Sequence, residues 1–258
     1  MRRLPRLLYS LATATTIQLA ACGGDAEPAE PARFAEATEL ERMRAITAAA
    51  GVDAAIGLFM TSVLTSIPPE ESSCPRITRS GDTTTATGGC TDDNGDMIRG
   101  RIVARNVPGF LGGDHDPSRP SEITFEDFRM DDTSDEDEDF AFDGSLTLSP
   151  QGAMTADLRV TMAGVEVASD ATWRSGAAGR TTADAGSTIE LTGVGRAEIR
   201  GSWNMSSDAP AGALELHGAD VLRANFDAIS NDCVPLTIDG APAGELCNTD
   251  EASSGDGG

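Results

Sequence analysis

The chain has no lysine: all 19 of its basic residues are arginine, set against 42 Asp and Glu in 258 residues. That absence removes a Schiff-base amine and the lysine of a phosphate-binding loop. Aromatic residues are also scarce, with two Trp, one Tyr and eight Phe. With so few large rings, and with Thr, Ser, Gly, Ala and Asp abundant, the composition suits a sheet with one wet face better than a thick buried core. The formal net charge of −23 repels nucleic-acid phosphates and anionic head groups, so no nucleic-acid partner is expected. The same charge favours cations or basic partners, or simply keeps an exposed protein soluble. HExxH, GxSxG, GxGxxG and the phosphate loop are all missing. A glycosidase needs only two well-placed carboxylates, so that class stays open.

Long apolar runs are missing too. The longest opening stretch, Leu7 to Ala21, is uncharged and mostly apolar. It falls short of the ~20 residues of a permanent transmembrane helix. Arg2, Arg3 and Arg6 precede it and small residues end it, as in a secretory signal peptide. The run closes on Leu19, Ala20, Ala21 and Cys22. This resembles the lipobox of bacterial lipoproteins. The resemblance implies cleavage before Cys22, a diacylglycerol on its sulfur and acylation of the freed amine. It further implies an outer-membrane location, facing the periplasm or the cell surface, because Gly23 rather than Asp follows the cysteine. The membrane is then a partner through the N-terminal lipid. The rest of the chain resembles the envelope lipoproteins of Gram-negative bacteria of high genomic GC, in its Arg-without-Lys usage and its Thr/Gly/Asp-rich strands bounded by paired cysteines.

Four further cysteines, Cys74, Cys90, Cys233 and Cys247, form an even set in a chain read as exported. The local pairing Cys74–Cys90 and Cys233–Cys247 is expected, each bracketing a short turn-rich stretch. Neither bracket has the spacing of a zinc knuckle or a redox dithiol.

The expected organisation is a signal peptide over residues 1–21, a flexible tether over 22–33, a helical segment over 34–69, an antiparallel β domain over 70–248 and a disordered tail over 249–258. In the helical segment Leu40, Met43, Ile46 or Thr47, and Ala50 recur at helical spacing, and the stripe resumes at Ile56, Phe59, Met60, Val63, Leu64 and Ile67. Gly51 is placed to bend or divide it, and Pro68 and Pro69 to end it. So wide a stripe is expected to pack on a sheet face, with the membrane surface as the alternative. From residue 95 onward alternation of period two dominates, broken by Gly, Ser, Asp and Pro. A phase slip between Phe125 and Phe128 predicts a bulge. No βαβ rhythm is present. The fold class is therefore mainly β: an antiparallel meander, open, barrel-like or sandwich, with the N-terminal helical segment packed on it.

Candidate chemistry is thin. The acidic stretch 131–139 offers Asp131, Asp132, Asp135, Asp137 and Asp139 as oxygen ligands for Ca²⁺, against the simpler reading of a solvated hairpin tip. No cofactor other than that Ca²⁺ is expected. TDDNGDM at 91–97 fails the EF-hand register and reads as a turn at Asn94-Gly95. His115 lies between Asp114 and Asp116 with Ser118 nearby, and His217 lies beside Asp220. A metal or nucleophile site would require the fold to gather them. No catalytic residue is assigned. Three functions follow. The first is a non-catalytic lipid-anchored envelope protein with a binding or structural role and an unidentified protein partner. The second is a carrier of a lipid or other apolar ligand. The third is a hydrolase or metal-dependent enzyme working through acidic residues.

Overall fold

The computed structural model describes residues 29–67, 69, 71–92, 95–108, 115–131, 139–176, 179–205, 210–230 and 233–247. The signal peptide, Cys22 and the acidic tail after Cys247 lie outside these residues, as does Asn94 of the expected turn.

Two helices lead. α1 spans Glu39–Ala49 and α2 spans Val52–Ser66. Thr38 caps α1 through a capping box, its hydroxyl taking the Glu41 amide while the Glu41 carboxylate takes the Thr38 amide. Gly51 divides the segment at φ 83°, a left-handed conformation that glycine alone adopts freely, and the two axes bend by 64°. No single helix is long and apolar enough to cross a membrane among the described residues.

The strands follow as a meander. β1 (Arg76–Ser80), β2 (Thr83–Thr87), β3 (Cys90–Thr91), β4 (Met97–Arg105) and β5 (Ser121–Asp131) open it. β6 (Phe140–Leu148), β7 (Ala153–Met162), β8 (Val165–Ser175), β9 (Thr181–Ala183) and β10 (Thr188–Leu191) continue it. β11 (Gly195–Asn204), β12 (Ala211–His217), β13 (Val221–Asn225), β14 (Cys233–Ile238) and β15 (Ala241–Cys247) complete it. All pairings between these strands are antiparallel, and neighbours in sequence are neighbours in space. β3 extends β2 along β4, and β9 extends β10 between β8 and β11. The slip in β5 is a register shift between Phe125 and Phe128, with Asp127 at φ 47°.

Among the described residues β1 and β15 each pair with one neighbour strand, so the sheet they form is open. Thirteen strands form its main path, which at ~4.8 Å per step spans about 58 Å. The bent helical elbow is shorter, about 38 Å from Arg42 to Ile67 at ~1.5 Å per residue. Yet both sheet edges reach it. Arg79 of β1 donates to Ile67 O at 2.9 Å, and Arg42 of α1 donates to Ala243 O of β15 at 3.2 Å. The sheet must therefore curl around the elbow. α1 packs across β8, β10 and β12, and α2 across β4, β6 and β7. One continuous core fills the concave face, with Phe34, Ile46, Phe125, Phe142, Leu146, Ile199, Trp203 and Leu214 fully buried. The convex face is wet and carries cross-strand ion pairs such as Arg101–Glu126 and Arg105–Glu122.

Several sequence expectations need correction. Residues 31–33 belong to the fold rather than the tether, with Ala32 fully buried. Residues 34–37 form a turn, so helix begins at Glu39. The buried face of α1 is Arg44, Ala45, Ile46, Ala48 and Ala49, while Leu40 is exposed. In α2 the small residues Ala54, Gly57 and Thr61 meet the sheet, and Phe59 and Val63 face outward. The reason is steric. A Cβ on Gly57 would lie 3.1 Å from Phe125 Cζ, so only a small residue lets the helix settle on that ring. The Val221–Ile229 run is strand only to Asn225, then a short 3₁₀ turn over Phe226–Ala228.

Entry of the chain is tightly held. Pro31 bridges Arg196 in β11, and Ala32 exchanges backbone hydrogen bonds with Arg196 O and the Ala219 amide, both at 2.8 Å. The Asp220 carboxylate accepts the Phe34 and Ala35 amides at 2.8 and 2.9 Å. Gly218 makes this close approach feasible, since a Cβ there would sit 2.3 Å from Ala32 O. Gly218→Ala is expected to cost about 1–3 kcal/mol and to expose residues 29–35 to protease. Limited proteolysis of wild type and variant checks this, and equal cleavage rates would contradict it.

Candidate functional site

The turns Ala163–Gly164, Thr192–Val194, Gly218–Asp220 and Asp239–Gly240 define one rim of the sheet, here called the proximal rim. An apolar cleft of about 210 Å³ opens there between α2 and the sheet. Phe59, Met60, Val63 and Leu64 form its helical wall. Ile98 of β4, Phe128 and Met130 of β5, Phe140 of β6, and Pro75 ahead of β1 form the other. Among the described residues no polar side chain lines it.

Each wall has a local cause. The bulge at Asp127 re-phases β5, so that Phe128 and Met130 turn inward after Phe125. Phe142 packs at 5.2 Å from the Phe125 ring and edge-on to Phe140 at 5.8 Å, which makes a stiff aromatic floor. Gly57 sits against that floor, and the next turns of α2 line the cleft. The disulfide Cys74–Cys90 ties the Pro75 side to β3, which pairs with Ile98. Phe59 is 56 % exposed and Val63 37 %, so the helical lip presents apolar surface to the outside.

Other candidates do not converge. His115 lies in the segment between β4 and β5 at the distal rim, where Nδ1 meets Asn106 O at 3.0 Å. His217 ends β12 at the proximal rim and pairs with Glu215 at 3.0 Å. The fold thus keeps the histidines apart. Ser118 donates to Asp116 at 2.6 Å, so it is engaged by the carboxylate rather than by His115. Of the acidic stretch, Asp131 pairs with Arg99 at 3.3 Å, while Asp132, Asp135 and Asp137 lie outside the described residues. Asp139 stands just ahead of β6. Cys233, Glu245 and Cys247 cluster closely enough for a metal, but the two sulfurs are joined as a disulfide and have no thiolate to offer. A wider, open polar groove of about 590 Å³ lies along β12–β14. There Glu215 is shared by His217 and Arg223, which is a cross-strand ion pair on a wet surface.

Titration at exposed pairs runs one way. Arg119 beside Asp82, the Ser118 hydroxyl beside Asp116, Arg174 beside Asp184 and Arg200 beside Glu198 each hold a carboxyl below its ordinary range. A lowered folded-state value stabilises fully above the unfolded value and is lost as pH falls through the folded one. The melting temperature is expected to stay level from neutral pH to about 5 and to fall below that. A melting series across pH 3–8 checks it, and a maximum in acid would contradict it.

Sequence reasoning named the helical wall of the cleft and missed the way the β5 bulge supplies the opposite wall. The phase slip at Phe125–Phe128 was the available signal. No family model matches this chain, and no curated protein or solved structure matches it either.

Proposed function

We propose that this chain is a lipid-anchored, non-catalytic protein of the bacterial cell envelope that holds one slender apolar ligand in the cleft beside α2. The cleft is the observation that carries the reading, because among the described residues every one lining it is apolar and two of them stand exposed on the helical lip. At about 210 Å³ it is smaller than the ~300–1,000 Å³ of a usual small-molecule site, which fits a single hydrocarbon chain whose other end stays outside. The lipobox Leu19-Ala20-Ala21-Cys22 supports the anchor, and two disulfides suit an oxidising compartment.

Native mass spectrometry of the protein extracted from its own membranes in mild detergent tests both parts. The expected species begins at Cys22, carries covalent acyl groups and holds a dissociable apolar adduct. An unacylated chain would overturn the anchor. An acylated chain that never carries an adduct would overturn the ligand.

A further inference from the structure

The proximal rim carries two features at once. The chain enters the fold there, at Pro31 beside Arg196 of β11, and the apolar cleft opens there, between β4–β6 and α2. We infer that this rim faces the bilayer, and that the cleft takes its occupant from it: one acyl chain of a membrane glycerophospholipid. The inference rests on the lipid-anchor reading of Cys22.

Reach is the first argument. Eight residues lie between Cys22 and Pro31, so the two are nine residue steps apart, an extended length of at most about 32 Å. From β11 to β6 the sheet crosses four strand spacings, about 19 Å. An anchor at Cys22 therefore holds the rim within one tether length of the head groups, and the cleft mouth lies on that same rim. The clamp at Ala32, Gly218 and Asp220 fixes where the tether leaves. A tether leaving the distal rim would have to run the length of a strand first.

Surface chemistry is the second. Phe59 and Val63 are two of the four exposed large hydrophobics among the described residues, and they lie side by side on the cleft lip. Such a lip loses its contact with water on meeting a membrane, and the acyl chain has a route into the cleft without crossing water. Asp131 beside the mouth is paired with Arg99.

The two native tryptophans supply an internal control. Trp173 and Trp203 are buried, and each lies eight residues along its strand from the proximal end, about 26 Å. The full lipidated protein and its Phe59→Trp variant are reconstituted into vesicles of phosphatidylcholine and phosphatidylethanolamine with dibrominated acyl chains. Flotation first reports the anchor. Bromine quenching of tryptophan then reports the orientation. The expected result is flotation of both proteins, with strong quenching of the introduced tryptophan and little quenching of wild type. Flotation with equal quenching of both would overturn the inference and spare the anchor, whether the cleft points away, is filled by the protein's own lipid or is covered by a second copy. Failure to float would overturn the anchor and the inference together. Circular dichroism of the variant confirms that its fold matches wild type.

Discussion

Asp53→Ala is expected to cost the folded state about 3–5 kcal/mol, the largest loss from any single side chain outside the aromatic core. Asp53 is 2 % exposed and Arg44 8 %. Their contact is bidentate, Nη1 to Oδ1 and Nη2 to Oδ2, each at 3.0 Å. Removing the carboxylate leaves a buried guanidinium whose remaining side-chain partner is Thr47, at 3.4 Å. Its Nε already lacks a hydrogen-bond partner, so the guanidinium has no spare contact with which to compensate. Asp53 also sits in the first turn of α2, where a negative charge suits the helix dipole. Urea denaturation followed by circular dichroism measures the loss. Arg44→Met combined with Asp53→Leu removes both charges and is expected to recover most of it. A double variant as weak as Asp53→Ala would show that shape, rather than the ion pair, matters at this site.

That ion pair matters beyond stability. It joins α1 to α2 across the Gly51 break, where Trp173 Nε1 also donates to Ala49 O at 2.8 Å. The elbow is thereby set at one angle, and the helical wall of the cleft is set with it. Helical periodicity could not reveal this. An arginine and an aspartate nine positions apart read as solvent-facing charges, and only the curl of the sheet puts both inside.

The same limit explains what else the sequence withheld. Strands β4 to β8 were legible because one face is buried and the other wet, as in Leu158, Val160 and Val167 against Arg159 and Glu166. β1, β2 and β15 were not. β1 buries Ile77 alone and β2 buries Ala86 alone, and β15 buries no residue fully. Edge strands with so little inward surface carry no alternation to read. In the cysteine brackets, the turn residues Gly81 and Asp239-Gly240 were visible and the hairpins around them were not. Openness of the sheet was also beyond the sequence, since a meander of this length closes or stays open according to how its twist meets the elbow.

Met60→Glu is expected to weaken apolar-ligand binding by about 2–3 kcal/mol, roughly thirty- to a hundred-and-fiftyfold. Met60 is partly buried on the helical wall, and Glu is as good a helix former as Met, so α2 should persist. The carboxylate would replace apolar contact with a group that must stay hydrated, in a cleft whose described lining offers it no polar side chain. Leu40→Glu is the matched control. It places the same charge on exposed α1 surface away from the cleft and is expected to leave binding unchanged. Titration with a fluorescent fatty acid measures both variants against wild type. Parallel loss in both would assign the effect to overall charge, and retained binding in Met60→Glu would place the ligand somewhere other than this cleft.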